Sequence, residues 1–145
     1  MRAVLITAIF ALAAVGQATG AELNRASSAP ESLYQEHSRA GETADTFILR
    51  IAPRAVSYTN RTGHQVCGAV VQNPDGRYTI EMRTIGQGYR CEIPAEAQLY
   101  FVTHIWSAGT FSRAEREVPG YMATRNSLYH QDGRSERKVG TLRLW

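Results

Sequence analysis

His104, Ser112 and Glu115 are the residues whose types and spacing could do chemistry. His104 stands near the end of an apolar run that begins at Tyr100, and Gly109 then leads the chain to Ser112-Arg113-Ala114-Glu115, the start of a helix. An imidazole and a carboxylate are among the residue types that ligate zinc, and a catalytic zinc site takes three such protein ligands. The fourth position there goes to a water that the metal acidifies toward neutral pH. The side chain two residues before His104 would share its face of a strand, because i and i+2 side chains point the same way. That position is Val102, which cannot bind metal. Ser112 and Glu115 also match a capping box, in which serine and glutamate satisfy the first amides of a helix, and this explains both residues without metal. His104 is then a hydrogen-bonded histidine at a strand end. The three residues contain the types of a nucleophilic triad as well, but no Gly-x-Ser-x-Gly elbow surrounds Ser112.

These side chains need a strand and a helix start to hold them. Ala97 to Ile105, with Leu99, Phe101, Val102 and Ile105, is the longest buried-strand candidate, and Ser112 to Glu117 opens a short helix stopped by Pro119. Upstream, Gln65 to Gln72 reads as a strand, and Asn73-Pro74-Asp75-Gly76 turns it into a second, Arg77 to Arg83, as a hairpin. Ala55 to Tyr58 and Tyr89 to Ile93 are further short strands, while Tyr121 to Thr124, Ser127 to His130 and Val139 to Leu144 close the chain. One amphipathic helix precedes them. Ala44, Phe47, Ile48 and Ile51 keep helical spacing, Thr43 or Gly41 begins the helix, and Pro53 stops it. The expected fold is α+β, with a mixed or mostly antiparallel sheet, that N-terminal helix and a short helix after the His104 strand.

Residues 22–41 are polar, rich in Ala, Ser and Glu, and read as a tether or a frayed helix ahead of a single domain over 42–145. Before them, Met1-Arg2 and the apolar run Ala3 to Val15, followed by Ala18-Thr19-Gly20-Ala21, have the form of a secretory signal peptide spanning 1–21. The run is too short for the ~20 residues of a membrane-spanning helix, so no stable membrane anchor is expected after cleavage. The product is expected in the periplasm or outside the cell. Export puts Cys67 and Cys91, the two cysteines, where disulfides persist, and one bridge between them is the simple expectation; a catalytic Cys67 beside His64 is the sharper alternative. The charge is small, +3 formally, and Lys138 is the sole lysine among many arginines. Scattered charge of this size does not argue for nucleic acid.

The order of HQVCGAVV, NPDGRY, YFVTHIW, SRAE and PGYMAT resembles the JAB/JAMM metalloprotease-like fold, and more closely a bacterial family of domains of unknown function related to it. The resemblance spans about Thr43 to Asp132. That family's hallmark is a strand ending His-x-His, then Ser-x-x-Asp at a helix start and a later Gly-Tyr-small-Thr segment. His104 matches the second histidine, Ser112 the serine, Glu115 the aspartate, and Gly120, Tyr121, Ala123 and Thr124 the later segment. The resemblance implies zinc held by two histidines and the acid, a glutamate base from an earlier strand, and the serine beside the developing oxyanion. Here Val102 replaces the first histidine, Gln65 stands where the glutamate belongs, and Ile105 replaces the usual Pro or Gly. An amide is no general base. Neither His64, which should face away from Gln65, nor His130, distant in sequence, is an evident substitute.

Other constellations are weaker. Asn60-Arg61-Thr62 is formally a glycosylation sequon, and Gly86-Gln87-Gly88 lacks the helix and third glycine of a phosphate-binding turn. Tyr100, Phe101, Trp106 and Phe111 could line a peptide groove or serve as core. The expected function is a catalytically inactive JAB/JAMM-like module that binds a peptide or protein partner in the cell envelope, with His104, Trp106, Ser112 and Tyr121 as binding residues and no cofactor. Such a groove would add a peptide to a sheet edge. The family's occurrence in polymorphic toxin systems extends this to interbacterial toxin and immunity roles. The alternative is a metal-dependent peptidase or amidase with a rearranged zinc site on His104 and Glu115, where Ser112, Glu115 and Gln65 are the catalytic candidates.

Overall fold

The computed structural model describes residues 29–86, 91–105 and 110–143. The signal-like segment 1–21 and Trp106 lie outside these residues. The described chain forms β1 (Glu31–His37), α1 (Ala44–Thr62), β2 (Cys67–Gln72), β3 (Tyr78–Thr84), β4 (Tyr100–Thr103), a 3-10 turn (Ala114–Arg116), β5 (Gly120–Ala123), β6 (Ser127–Gln131) and β7 (Glu136–Thr141). The strands make one mixed, mostly antiparallel sheet in the order β1-β3-β2-β4-β5-β6-β7. Only β4 and β5 pair in parallel, so the chain must cross over between them, and it does so through the 3-10 turn.

Helix α1 begins as expected at Thr43, whose side chain accepts a hydrogen bond from the Thr46 amide. It does not stop at Pro53. The helix runs to Thr62 and ends at Gly63, whose φ of 74° only glycine adopts without strain. Proline in a helix interior removes one backbone hydrogen bond. Ala55, Val56 and Thr59, beyond the proline, are buried against the sheet and hold that last part of the helix in place. The expected strand Ala55 to Tyr58 is therefore part of this helix.

The polar stretch read as a tether also differs. Glu31–His37 forms β1, an edge strand paired antiparallel with β3. Leu33 and Tyr34 pack against the core, and the Arg54 guanidinium lies 3.8 Å over the Tyr34 ring. Arg50 ties the strand to the helix by pairing with Glu42 at 2.8 Å and donating to the His37 carbonyl at 3.0 Å. The Asn73–Gly76 turn joins β2 and β3 as a hairpin, with Gly76 at φ 79°.

Alternation along the central strands separates two cores. Phe101, Tyr121 and Ala123 join Phe47, Ile48, Ile51, Val56 and others under α1. Tyr100, Val102 and Met122 point to the opposite face with Cys67 and Phe111. Tyr100 pairs in register with Gly120, and a Cβ added at Gly120 would overlap the Tyr100 ring. That glycine lets the ring lie across β5 and reach the crossover segment. Cys67 and Cys91 are joined by a disulfide, which fastens the segment after residue 90 to β2. Residues 91–93, expected in a short strand, form none.

Candidate functional site

The carboxyl end of β4 opens on a cleft of about 900 Å³. Thr103, His104 and Ile105 supply its base, with Thr59 from α1 and Gln65 from the approach to β2. Cys91 to Ala95 bounds it on one side, and the crossover residues Ser112, Ala114, Glu115, Glu117 and Val118 on another.

Backbone pairing fixes the base. The His104 amide donates to the Ala123 carbonyl at 2.8 Å, and the Thr103 amide to Val66 at 2.9 Å. The Thr103 hydroxyl sits 2.8 Å from that of Thr59 and accepts the Val66 amide at 2.9 Å. Buried Gln65 donates its side-chain nitrogen to the Thr103 carbonyl at 3.0 Å. The position expected for a general base thus holds an amide that braces the strand end.

Glu115 is the centre of the polar arrangement. Its Oε1 lies 2.7 Å from His104 Nε2, and its Oε2 accepts the Ser112 amide at 2.7 Å. The Ser112 hydroxyl accepts the Glu115 amide in return, at 3.3 Å. This is the reciprocal capping box expected from the sequence, built on a 3-10 turn instead of an α-helix. Burial pushes the Glu115 pKa up, but the His104 hydrogen bond and the Ser112 amide outweigh it and hold the carboxyl below its usual range. An ionised carboxylate is an acceptor only, so His104 Nε2 carries the proton and donates.

The backbone of Glu115 is fixed separately. Its carbonyl accepts from the Tyr100 hydroxyl and from Gln131 Nε2, each at 2.6 Å, and the Gln131 nitrogen also reaches the Val118 carbonyl at 2.5 Å. Gln131 is 1% exposed. It and Tyr100 anchor the crossover from below, while His104 and Ser112 orient the carboxylate above. The sequence does not single out Gln131 because its partners come from remote segments.

Several expected site residues lie elsewhere. Tyr121 is buried under α1 and donates its hydroxyl to Asp45 at 2.7 Å, away from the cleft. His130 packs on the Tyr121 ring, centroids 4.7 Å apart, and neither it nor His64 lines the cleft. Tyr100, Phe101 and Phe111 are core residues. Cys67 is bonded to Cys91, so it is no free nucleophile. Ser112 and His104 both address Glu115, whereas a triad needs the imidazole between serine and acid; the triad alternative is not built.

Zinc chemistry finds only part of its donor set. His104 and Glu115 converge, but Val102 is 1% exposed within the apolar cluster of Tyr100, Phe111 and Met122. Among the described residues no three His, Cys, Asp or Glu side chains are grouped to hold a metal. The residues present therefore do not fit the three-ligand site that the resemblance implies. Nor is β4 a sheet edge open to an added strand, since β2 and β5 pair with it on both sides.

Among the described residues no helix is long and apolar enough to cross a membrane. Comparison with protein-family models, with curated proteins and with solved structures finds no match to this chain.

Proposed function

We propose that the chain is an exported recognition domain, of JAB/JAMM-like ancestry, that binds a peptide or protein segment in the cleft at the end of β4 without hydrolysing it. The observation that supports this most is a large cleft whose base is already committed to internal hydrogen bonds. Glu115 holds His104 and Ser112, and Gln65 holds the strand end. Around these fixed groups Ile93, Pro94, Ile105 and Val118 offer apolar surface, the mix expected of a binding pocket. The single disulfide suits an extracytoplasmic setting, and periplasmic or secreted residence belongs to the proposal. A part in interbacterial toxin and immunity systems is its family-level extension.

Screening a displayed heptapeptide library against the purified mature protein tests this. Selected peptides should bind saturably, shift the backbone amide resonances of His104, Ile105 and Val118, and remain intact on long incubation. Cleavage of a bound peptide, or binding that leaves those resonances unmoved, would overturn the proposal.

The 2.7 Å approach of His104 to Glu115 favours one second reading, a metal-dependent peptidase or amidase with ligands recruited from outside the expected set. It requires stoichiometric zinc that disappears in His104→Ala. Zinc binding gained only by the combined Val102→His and Gln65→Glu variant would instead support a site that has lost its metal.

A further inference from the structure

We infer that the cleft selects a segment carrying a lysine or arginine side chain next to an apolar residue. The inference rests on the recognition reading and names the chemistry of its ligand. Each of two bounding segments presents a carboxylate followed by an apolar side chain: Glu92-Ile93 after the disulfide, and Glu117-Val118 after the 3-10 turn. Among the described lining residues there is no lysine or arginine, although the chain as a whole is basic.

The contrast with other carboxylates sharpens this. Glu36, Glu42, Asp45, Asp75, Glu81 and Glu136 each face an arginine of the same chain. Glu115 faces His104. Glu92 and Glu117, like Glu31, Glu96 and Asp132, form no ion pair with a described residue, and of these five only Glu92 and Glu117 line the cleft, where both are exposed. Two carboxylates that no described residue pairs, beside an apolar pocket, complement a cationic head on an apolar stem, which is the form of lysine and arginine side chains. Because both acids are solvent-exposed, the attraction is screened by salt and selects among ligands more than it sets affinity.

The test uses the full mature protein and three labelled, end-capped pentapeptides in which leucine alternates with lysine, glutamine or glutamate, followed by fluorescence anisotropy. The lysine peptide should bind about tenfold more tightly than the glutamine peptide at low salt. The preference should shrink at high salt and vanish in the Glu92→Gln, Glu117→Gln double variant. Equal binding of all three peptides, or a preference that survives the double substitution, overturns the inference and leaves the recognition reading standing. No saturable binding of any of them overturns both.

Discussion

His104 Nε2 lies 2.7 Å from Glu115 Oε1, so a charge-assisted hydrogen bond joins the end of β4 to the crossover turn. Both side chains are largely buried, where such bonds are strong and costly to break one-sidedly. Glu115→Gln and His104→Ala should each destabilise the domain, and the double variant should lose less than their sum. A double-mutant cycle in urea should return a coupling of about 1–2 kcal/mol. Additive losses would mean that the contact does not hold the turn to the strand.

Acid should loosen the domain through carboxylates whose folded pKa is depressed. The Arg50 hydrogen bond brings Glu42 down to about 2, and His104 and the Ser112 amide hold Glu115 below its ordinary range despite burial. A carboxylate lowered in the folded state contributes stability fully above its unfolded pKa, roughly 4.3, and loses it as pH falls through the folded value. Thermal midpoints should therefore drop between about pH 4.3 and pH 2. Glu42→Gln should be less stable at pH 7 and flatter through that window; a curve parallel to the wild type would refute the assignment.

Gln131 donates to the carbonyls of Glu115 and Val118 from a position with almost no solvent access. Gln131→Met keeps much of the volume and removes the donor, leaving the Val118 carbonyl short of a partner. A loss of about 2 kcal/mol is expected. Hydrogen exchange should speed up selectively over 112–119, and unchanged exchange there would show that the amide does not anchor the crossover.

The Cys67–Cys91 bridge closes a loop of sequence separation 24 and fastens one side of the cleft to β2. Cys67→Ser with Cys91→Ser should cost about 3 kcal/mol. Limited proteolysis should then cut first within 92–98, where the oxidised protein resists. Equal resistance in both forms would mean that this segment is held by other contacts.

The features legible in the sequence are those written by neighbouring residues. Thr43 caps α1, Asn73–Gly76 turns the hairpin, and Ser112 with Glu115 closes its box within four residues. What the sequence concealed depends on remote partners. Glu31–His37 is polar because an edge strand buries little, and it became visible as β1 only through its pairing with β3. Pro53 would end an isolated helix, yet the burial of Ala55, Val56 and Thr59 against the sheet carries α1 past it. At the site, the convergence of His104 and Glu115 was legible from the motif spacing. The cleft itself was not, since Cys91 to Ala95, Thr59 and Gln65 reach it from separate parts of the chain. Tyr121 was expected at the site but stands one position along from the residues on the cleft-side face, and strand alternation turns it toward α1 instead.

The central claim is that His104 and Glu115 hold each other as a structural pair beside a recognition cleft and do not hold a catalytic metal. Metal content of the mature protein, purified without chelator and measured by mass spectrometry, tests this most directly. The account predicts substoichiometric zinc that does not change in His104→Ala; stoichiometric zinc that is lost in that variant would contradict it.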